Sequence, residues 1–136
     1  MIKFQKKSLG QNFLIDKNIV KKILNLTNLN NKNIIEIGPG RGALTDEIIK
    51  RKPKSLLLLE KDNELSNNLK LKFIDKKSIK IINTDVLRFN FQNLNKQKFV
   101  LLGNLPYNIS SQILIKLLKI PNLESKFTDL ILMFQK

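Results

Sequence analysis

Six residues, Gly103-Asn104-Leu105-Pro106-Tyr107-Asn108, follow the apolar run Phe99-Val100-Leu101-Leu102 and combine the groups that would hold a flat heterocyclic amine. The Asn104 amide oxygen can accept a hydrogen bond from an N–H. Pro106 holds φ near about −65°, which fixes the direction of neighbouring carbonyls. Tyr107 offers a ring face for stacking, a contact worth roughly 1–3 kcal/mol per base in single-stranded recognition. Asn and Pro are also ordinary turn residues, so the segment alone fits a plain strand-to-helix connection equally well.

A second group of residues lies upstream. Gly38-x-Gly40-x-x-Ala43 follows the apolar run Ile34-Ile35-Glu36-Ile37 and opens a helical pattern. In that context the first glycine makes a tight turn and the second removes a side chain that would block a ligand, leaving backbone N–H groups to meet an anion. Glu60 stands twenty residues beyond Gly40, at the end of the run Leu56–Leu59, where a nucleoside-binding sheet places an acid for ribose hydroxyls. Asp85 repeats the arrangement after Ile79-Lys80-Ile81-Ile82, where it could accept from an adenine amino group. A dinucleotide such as NAD would suit the same crevice, but an amine-gripping turn has no use in hydride transfer.

The elements that must position these residues follow from periodicity. Asp16 caps a helix over about 17–26 with Ile19, Val20, Ile23 and Leu24 as its apolar stripe. Strands are expected at 34–37, 56–59, 79–82, 99–102 and 130–134. Between them lie helices through Leu44–Ile49 and over 62–72, then a loop at 89–91 anchored by Phe89 and Phe91. A helix over about 111–119 is capped by Ser110 and closed by Pro121. Alternating strands and helices predict an α/β fold, a parallel sheet with helices on both faces, as one domain over 1–136.

Composition narrows the chemistry. The 136 residues carry 25 Lys+Arg against 11 Asp+Glu, a net charge of +14 that favours polyanionic partners, nucleic acid ahead of membranes. Lys outnumbers Arg by 22 to 3, which an A/T-rich coding bias also produces. Histidine and cysteine are absent, so disulfides, thiolate metal sites and a histidine base are excluded and no metal is expected. Catalysis must rest on positioning, electrostatics or carboxylates. No apolar run approaches the ~20 residues of a membrane span, and a cytoplasmic location is expected.

In order and spacing, these motifs resemble the ribosomal RNA adenine N6-dimethyltransferases, most closely the small-subunit type. The resemblance covers essentially the whole chain and rests on Gly10-Gln11-Asn12-Phe13-Leu14, Glu36-Ile37-Gly38-Pro39-Gly40-Arg41-Gly42-Ala43-Leu44-Thr45, Glu60, Asp85 and Gly103–Ser110. It implies a Rossmann-like class I methyltransferase domain with S-adenosylmethionine as cofactor. It further implies dimethylation of two adjacent adenosines near the 3′ end of small-subunit ribosomal RNA, by a monomer working within a pre-ribosomal subunit.

By the same resemblance Asn12 and Leu14 close over the cofactor, Gly38 lines its methionine end, Glu60 binds the ribose, and Asp85 binds the adenine amine. Asn104 sits where cofactor and target amine meet, with Pro106 and Tyr107 completing the catalytic turn. Leu9 departs from the aromatic expected there. The last strand runs straight into Gln135-Lys136, so the chain is expected to be the N-terminal part of a longer protein, lacking further strands and a small helical RNA-gripping domain. Its sheet would then keep an uncovered edge. Rival readings are the large-subunit antibiotic-resistance methyltransferase, the mitochondrial transcription-factor relative and a non-catalytic RNA-binding module.

Overall fold

The apolar runs form the strands of one parallel sheet. The computed structural model describes residues 16–94 and 96–135. Its strands are β1 (Asn33–Ile37), β2 (Ser55–Glu60), β3 (Ile79–Asn83), β4 (Phe99–Pro106) and β5 (Phe127–Gln135), in the order β3-β2-β1-β4-β5. Every pairing is parallel. Helices α1 (Lys17–Leu24), α2 (Ala43–Ile49), α3 (Asn63–Lys72), α4 (Tyr107–Leu118) and the short α5 (Leu123–Lys126) complete the chain.

Parallel strands covered on both faces must be apolar almost throughout. Ile34, Leu56, Leu58, Val100 and Leu102 pack with Val20, Leu24, Leu44, Ile48, Leu69 and Phe73, which places α1, α2 and α3 on one face. Ile35, Ile37, Leu59 and Leu101 meet Val86, Phe91, Ile113, Leu117 and Phe127 on the other, beneath α4 and the β3–β4 crossover. Asp16 caps α1 as expected, accepting from the Asn18 N–H at 2.9 Å, and Asp62 caps α3 by accepting from Leu65 at 2.9 Å. Ile19 is 46% exposed and leaves the α1 stripe to Val20 and Leu24.

The structure corrects the expected strand-to-helix turn. β4 runs on through Pro106 because β5 keeps pairing with it, Asn104 opposite Met133 and Pro106 opposite Gln135. α4 then starts at once at Tyr107 with Pro106 as its cap residue, so Ser110 lies inside the helix and does not cap it. The Ser110 hydroxyl, buried, is within hydrogen-bonding distance of the carbonyls of Met133 (3.0 Å) and Leu105 (3.3 Å), tying α4 to both strands. β5 likewise begins earlier than its apolar run, at the buried Phe127.

Phe91 anchors the crossover. It is 1% exposed and makes edge-on contacts with Phe89 and Phe127 at centroid distances of 5.0 and 5.9 Å. Phe91→Ala is expected to lower unfolding free energy by about 3–5 kcal/mol, read as a reduced urea midpoint. Phe89→Ala, at a half-buried site, is expected to cost clearly less.

Candidate functional site at the strand carboxyl ends

Strand order reverses between β1 and β4, and in such sheets ligands bind outside the carboxyl ends at that switch point. Ile37 is in register with Leu59 and with Gly103, and Glu60 with Asn83. Gly38, Glu60 and Asn104 therefore stand at one level, around a single crevice.

Each loop of the crevice is held by specific bonds. Gly38, Gly40 and Gly42 have φ of 67°, 61° and 90°, the left-handed region that side chains rarely adopt. A Cβ on Gly38 would also lie 2.5 Å from Leu105 Cδ2, so the missing side chain lets the end of β4 close against the loop. Gly42, which the motif reading left out, is the left-handed cap residue of α2.

The Glu60 carboxylate is buried. Its Oε1 accepts the Gly40 N–H and its Oε2 the Asp62 N–H, both at 2.9 Å. Burial raises its pKa above the ordinary value, and these backbone bonds oppose the rise. Asp85 Oδ1 accepts the Leu87 N–H at 3.0 Å, while Oδ2 faces Lys61 Nζ at 3.5 Å. The Asn83 amide donates to the carbonyls of Glu60 and Lys61 at 2.9 and 3.1 Å, fixing the turn after β2.

Two supports carried no signal in the residue pattern. Lys116 Nζ donates to the carbonyls of Val86 (3.0 Å), Leu87 (2.7 Å) and Phe89 (2.6 Å), clamping the loop that presents Asp85. Partial burial lowers its pKa and Asp85 opposes that shift. Behind the glycine loop, the fully buried Glu36 accepts the Thr45 hydroxyl at 2.6 Å. Burial pushes the Glu36 carboxyl up to about 8, offset in part by Thr45 and reinforced by Glu60.

Gly38, Glu60, Asp85, Asn104, Pro106 and Tyr107 thus all stand at the carboxyl ends of β1 to β4 or just beyond. Asn104 and Pro106 are half-buried, and the Tyr107 ring is 60% exposed at the first position of α4. Asn12 and Leu14 lie outside the described residues. Among the described residues no cluster of acidic side chains could hold a metal ion, and no helix is long and apolar enough to cross a membrane.

A family model described as ribosomal RNA adenine dimethylase matches residues 2–136. The chain belongs to that family. Two relatives named ribosomal RNA small subunit methyltransferase A are similar to it. One, from Pelagibacter ubique, is 50% identical over 96% of this chain and 49% of its own length. Another, from Malacoplasma penetrans, is 42% identical over 98% of this chain and 47% of its own length. The chain therefore spans about half the length of the curated relatives it matches. Among solved structures, the 23S rRNA methyltransferase ErmE superposes with a TM-score of 0.76 at 26% identity, covering 91% of this chain and 48% of that one. A dimethyladenosine transferase from Plasmodium falciparum gives 0.75 at 24% identity, covering 92% and 44%, a likeness of fold. The expected Rossmann-like methyltransferase fold is the fold observed.

The Glu36–Thr45 contact in this family member yields a pH test. Glu36 titrates near 8 when folded and near its ordinary 4.5 when unfolded, so between those values the native state keeps a proton that the unfolded chain releases. Its stabilisation is full below about pH 4.5 and is lost as pH rises through 8. Glu36→Gln, which preserves the acceptor for Thr45, is expected to flatten the fall in melting temperature between pH 5 and 8.5. An unchanged slope would assign the pH dependence elsewhere.

Proposed function

We propose that this chain carries the cofactor and target-base sites of an enzyme that dimethylates the N6 amines of two adjacent adenosines near the 3′ end of small-subunit ribosomal RNA. S-adenosylmethionine is the methyl donor in this reading, and it supplies an already activated sulfonium methyl group. The observation that carries the reading is the Glu60 carboxylate. Each of its oxygens is fixed by one backbone N–H and keeps acceptor capacity for one of two vicinal hydroxyls. That pair of acceptors fits a ribose.

The remaining roles follow the same chemistry. Gly38 lines the methionine end, Asp85 accepts from the adenine amine, and Asn12 and Leu14 close over the cofactor from the N-terminal side. The exocyclic amine of a base is a poor nucleophile because its lone pair is delocalised into the ring. Asn104 and a carbonyl near Pro106 accept its N–H groups and hold the nitrogen toward a pyramidal form, while Tyr107 stacks on the unpaired base. With no histidine in the chain, alignment and preorganised acceptors do the catalytic work. The partner is small-subunit RNA within a pre-ribosomal subunit, met in the cytoplasm by a monomer. Identities of 50% and 42% to small-subunit methyltransferases, against 26% to the 23S enzyme, favour the small-subunit target.

Calorimetric titration of S-adenosylmethionine into the chain is expected to give saturable single-site binding. Glu60→Ala, which removes hydrogen bonds to a charged group, is expected to weaken it about 10- to 100-fold. A folded chain that takes up no cofactor would sink the reading in favour of an RNA-binding module. Tyr107→Ala is expected to leave cofactor affinity within about twofold and to lower methyl incorporation into ribosomal RNA about 10-fold or more, given the ~1–3 kcal/mol stacking term.

A further inference from the structure

The opposite ends of the strands carry a feature that folding does not require. In register, Ile79 stands opposite Leu56, Ser55 opposite Asn33, Asn33 opposite Phe99, and Phe99 opposite Phe127. In sheet order, Lys77 stands two residues before Ile79, and Lys54, Lys32, Lys98 and Lys126 stand one residue before Ser55, Asn33, Phe99 and Phe127. Four of the five strands are entered directly from a lysine and β3 from Lys77-Ser78, so by register count the five lysines stand at the same end of neighbouring strands.

Backbone bonds extend the alignment past the strands. The Lys54 N–H donates to the Lys32 carbonyl at 2.8 Å and the Leu56 N–H to the Ser78 carbonyl at 2.9 Å. With strands ~4.8 Å apart, the row is about 19 Å long. Lys32, Lys54, Lys77 and Lys98 are exposed and Lys126 is half-buried. Lys52, Lys76 and Lys96, all exposed, flank them. Among the described residues none of these lysines forms an ion pair. Asp75 lies in the loop before β3 and Glu124 in α5, and the carboxylate of Asp129 accepts from the Thr27 hydroxyl at 3.1 Å. The crevice end has the opposite balance, with Glu60, Asp62, Glu64 and Asp85 against Arg41, Lys61 and Arg88.

Like charges directly opposite one another on neighbouring strands destabilise a sheet, so the row is not explained by stability. Lysines are point charges without the planar fork that reads base edges. Of the large exposed hydrophobic side chains described, the aromatic one is Tyr107, at the other end of the sheet. A surface of ammonium groups with no stacking platform suits phosphates and not bases. A five-residue strand spans about 17 Å, so whatever the row holds lies well away from a base in the crevice.

We propose that the Lys77-Lys54-Lys32-Lys98-Lys126 row docks the phosphate backbone of an RNA duplex distinct from the segment presented to the crevice. The proposal rests on the reading of a structured ribosomal RNA as substrate, and it makes recognition two-ended, with the target base at one pole and a sequence-independent grip at the other.

The test is fluorescence anisotropy of a 20-base-pair RNA duplex titrated with the chain between 50 and 200 mM salt. The triple variant Lys32→Gln/Lys54→Gln/Lys98→Gln is compared with Lys17→Gln/Lys21→Gln/Lys22→Gln, which removes equal charge from α1. The row variant is expected to bind about 10-fold more weakly and to lose about two to three units of salt slope, at roughly 0.9 per phosphate contact in a B-form duplex. The α1 variant is expected to change less than threefold. Equal losses in both variants, or none in either, would overturn the proposal. So would loss of binding to anionic lipid vesicles with duplex affinity retained. Should the row variant unfold, lysine acetylation of the wild-type chain with and without duplex decides: protection of Lys32, Lys54 and Lys98 supports the proposal, and equal reactivity refutes it. A wild-type chain that binds duplex through the row yet takes up no S-adenosylmethionine would sink the methyltransferase reading and leave the row standing.

Discussion

A single buried carboxylate holds the crevice in shape. Glu60 ends β2 with each oxygen held by one backbone N–H, that of Gly40 on one and that of Asp62 on the other. Desolvating a carboxylate is costly, and hydrogen bonds to it are the strong, charge-assisted kind. The loop after β1 and the turn after β2 are thereby fixed relative to each other before any ligand arrives. Leu105 resting against Gly38 adds the end of β4 to the same arrangement.

Much of this was legible in the sequence because local and global signals agree. The apolar runs named the strands, Asp16 marked the start of α1, and the places of Gly38, Glu60 and Asp85 at successive strand ends put them around one crevice. What sequence misread was decided by tertiary pairing. Nothing local says that β4 should run through Pro106; β5, arriving some twenty residues later, dictates it. Ser110 looked like a cap because hydroxyls favour that position, yet its bonds reach two strands. Nothing in the sequence singles out Lys116, and only the fold brings three carbonyls to it. The lysine row was hidden for the same reason, since its members are scattered from 32 to 126 and align only once the strand order is known.

The two ends of the sheet divide the chemistry. At the carboxyl ends, backbone N–H groups and carboxylates suit a hydroxyl-bearing and amine-bearing ligand. At the amino ends, ammonium groups suit a polyanion. Glu36 helps on the crevice side: held protonated by burial at neutral pH, it adds no further negative charge behind the glycine loop.

Lys116 has a mechanical consequence. It grips the Asp85 loop from one stretch of α4, and Tyr107 stands at the first residue of the same helix. They stand nine positions apart on the helix, a stiff rod about 13 Å long. The loop that presents Asp85 and the aromatic platform beyond β4 are mounted on one lever. A force that tilts the helix at its aromatic end is felt at the carboxylate.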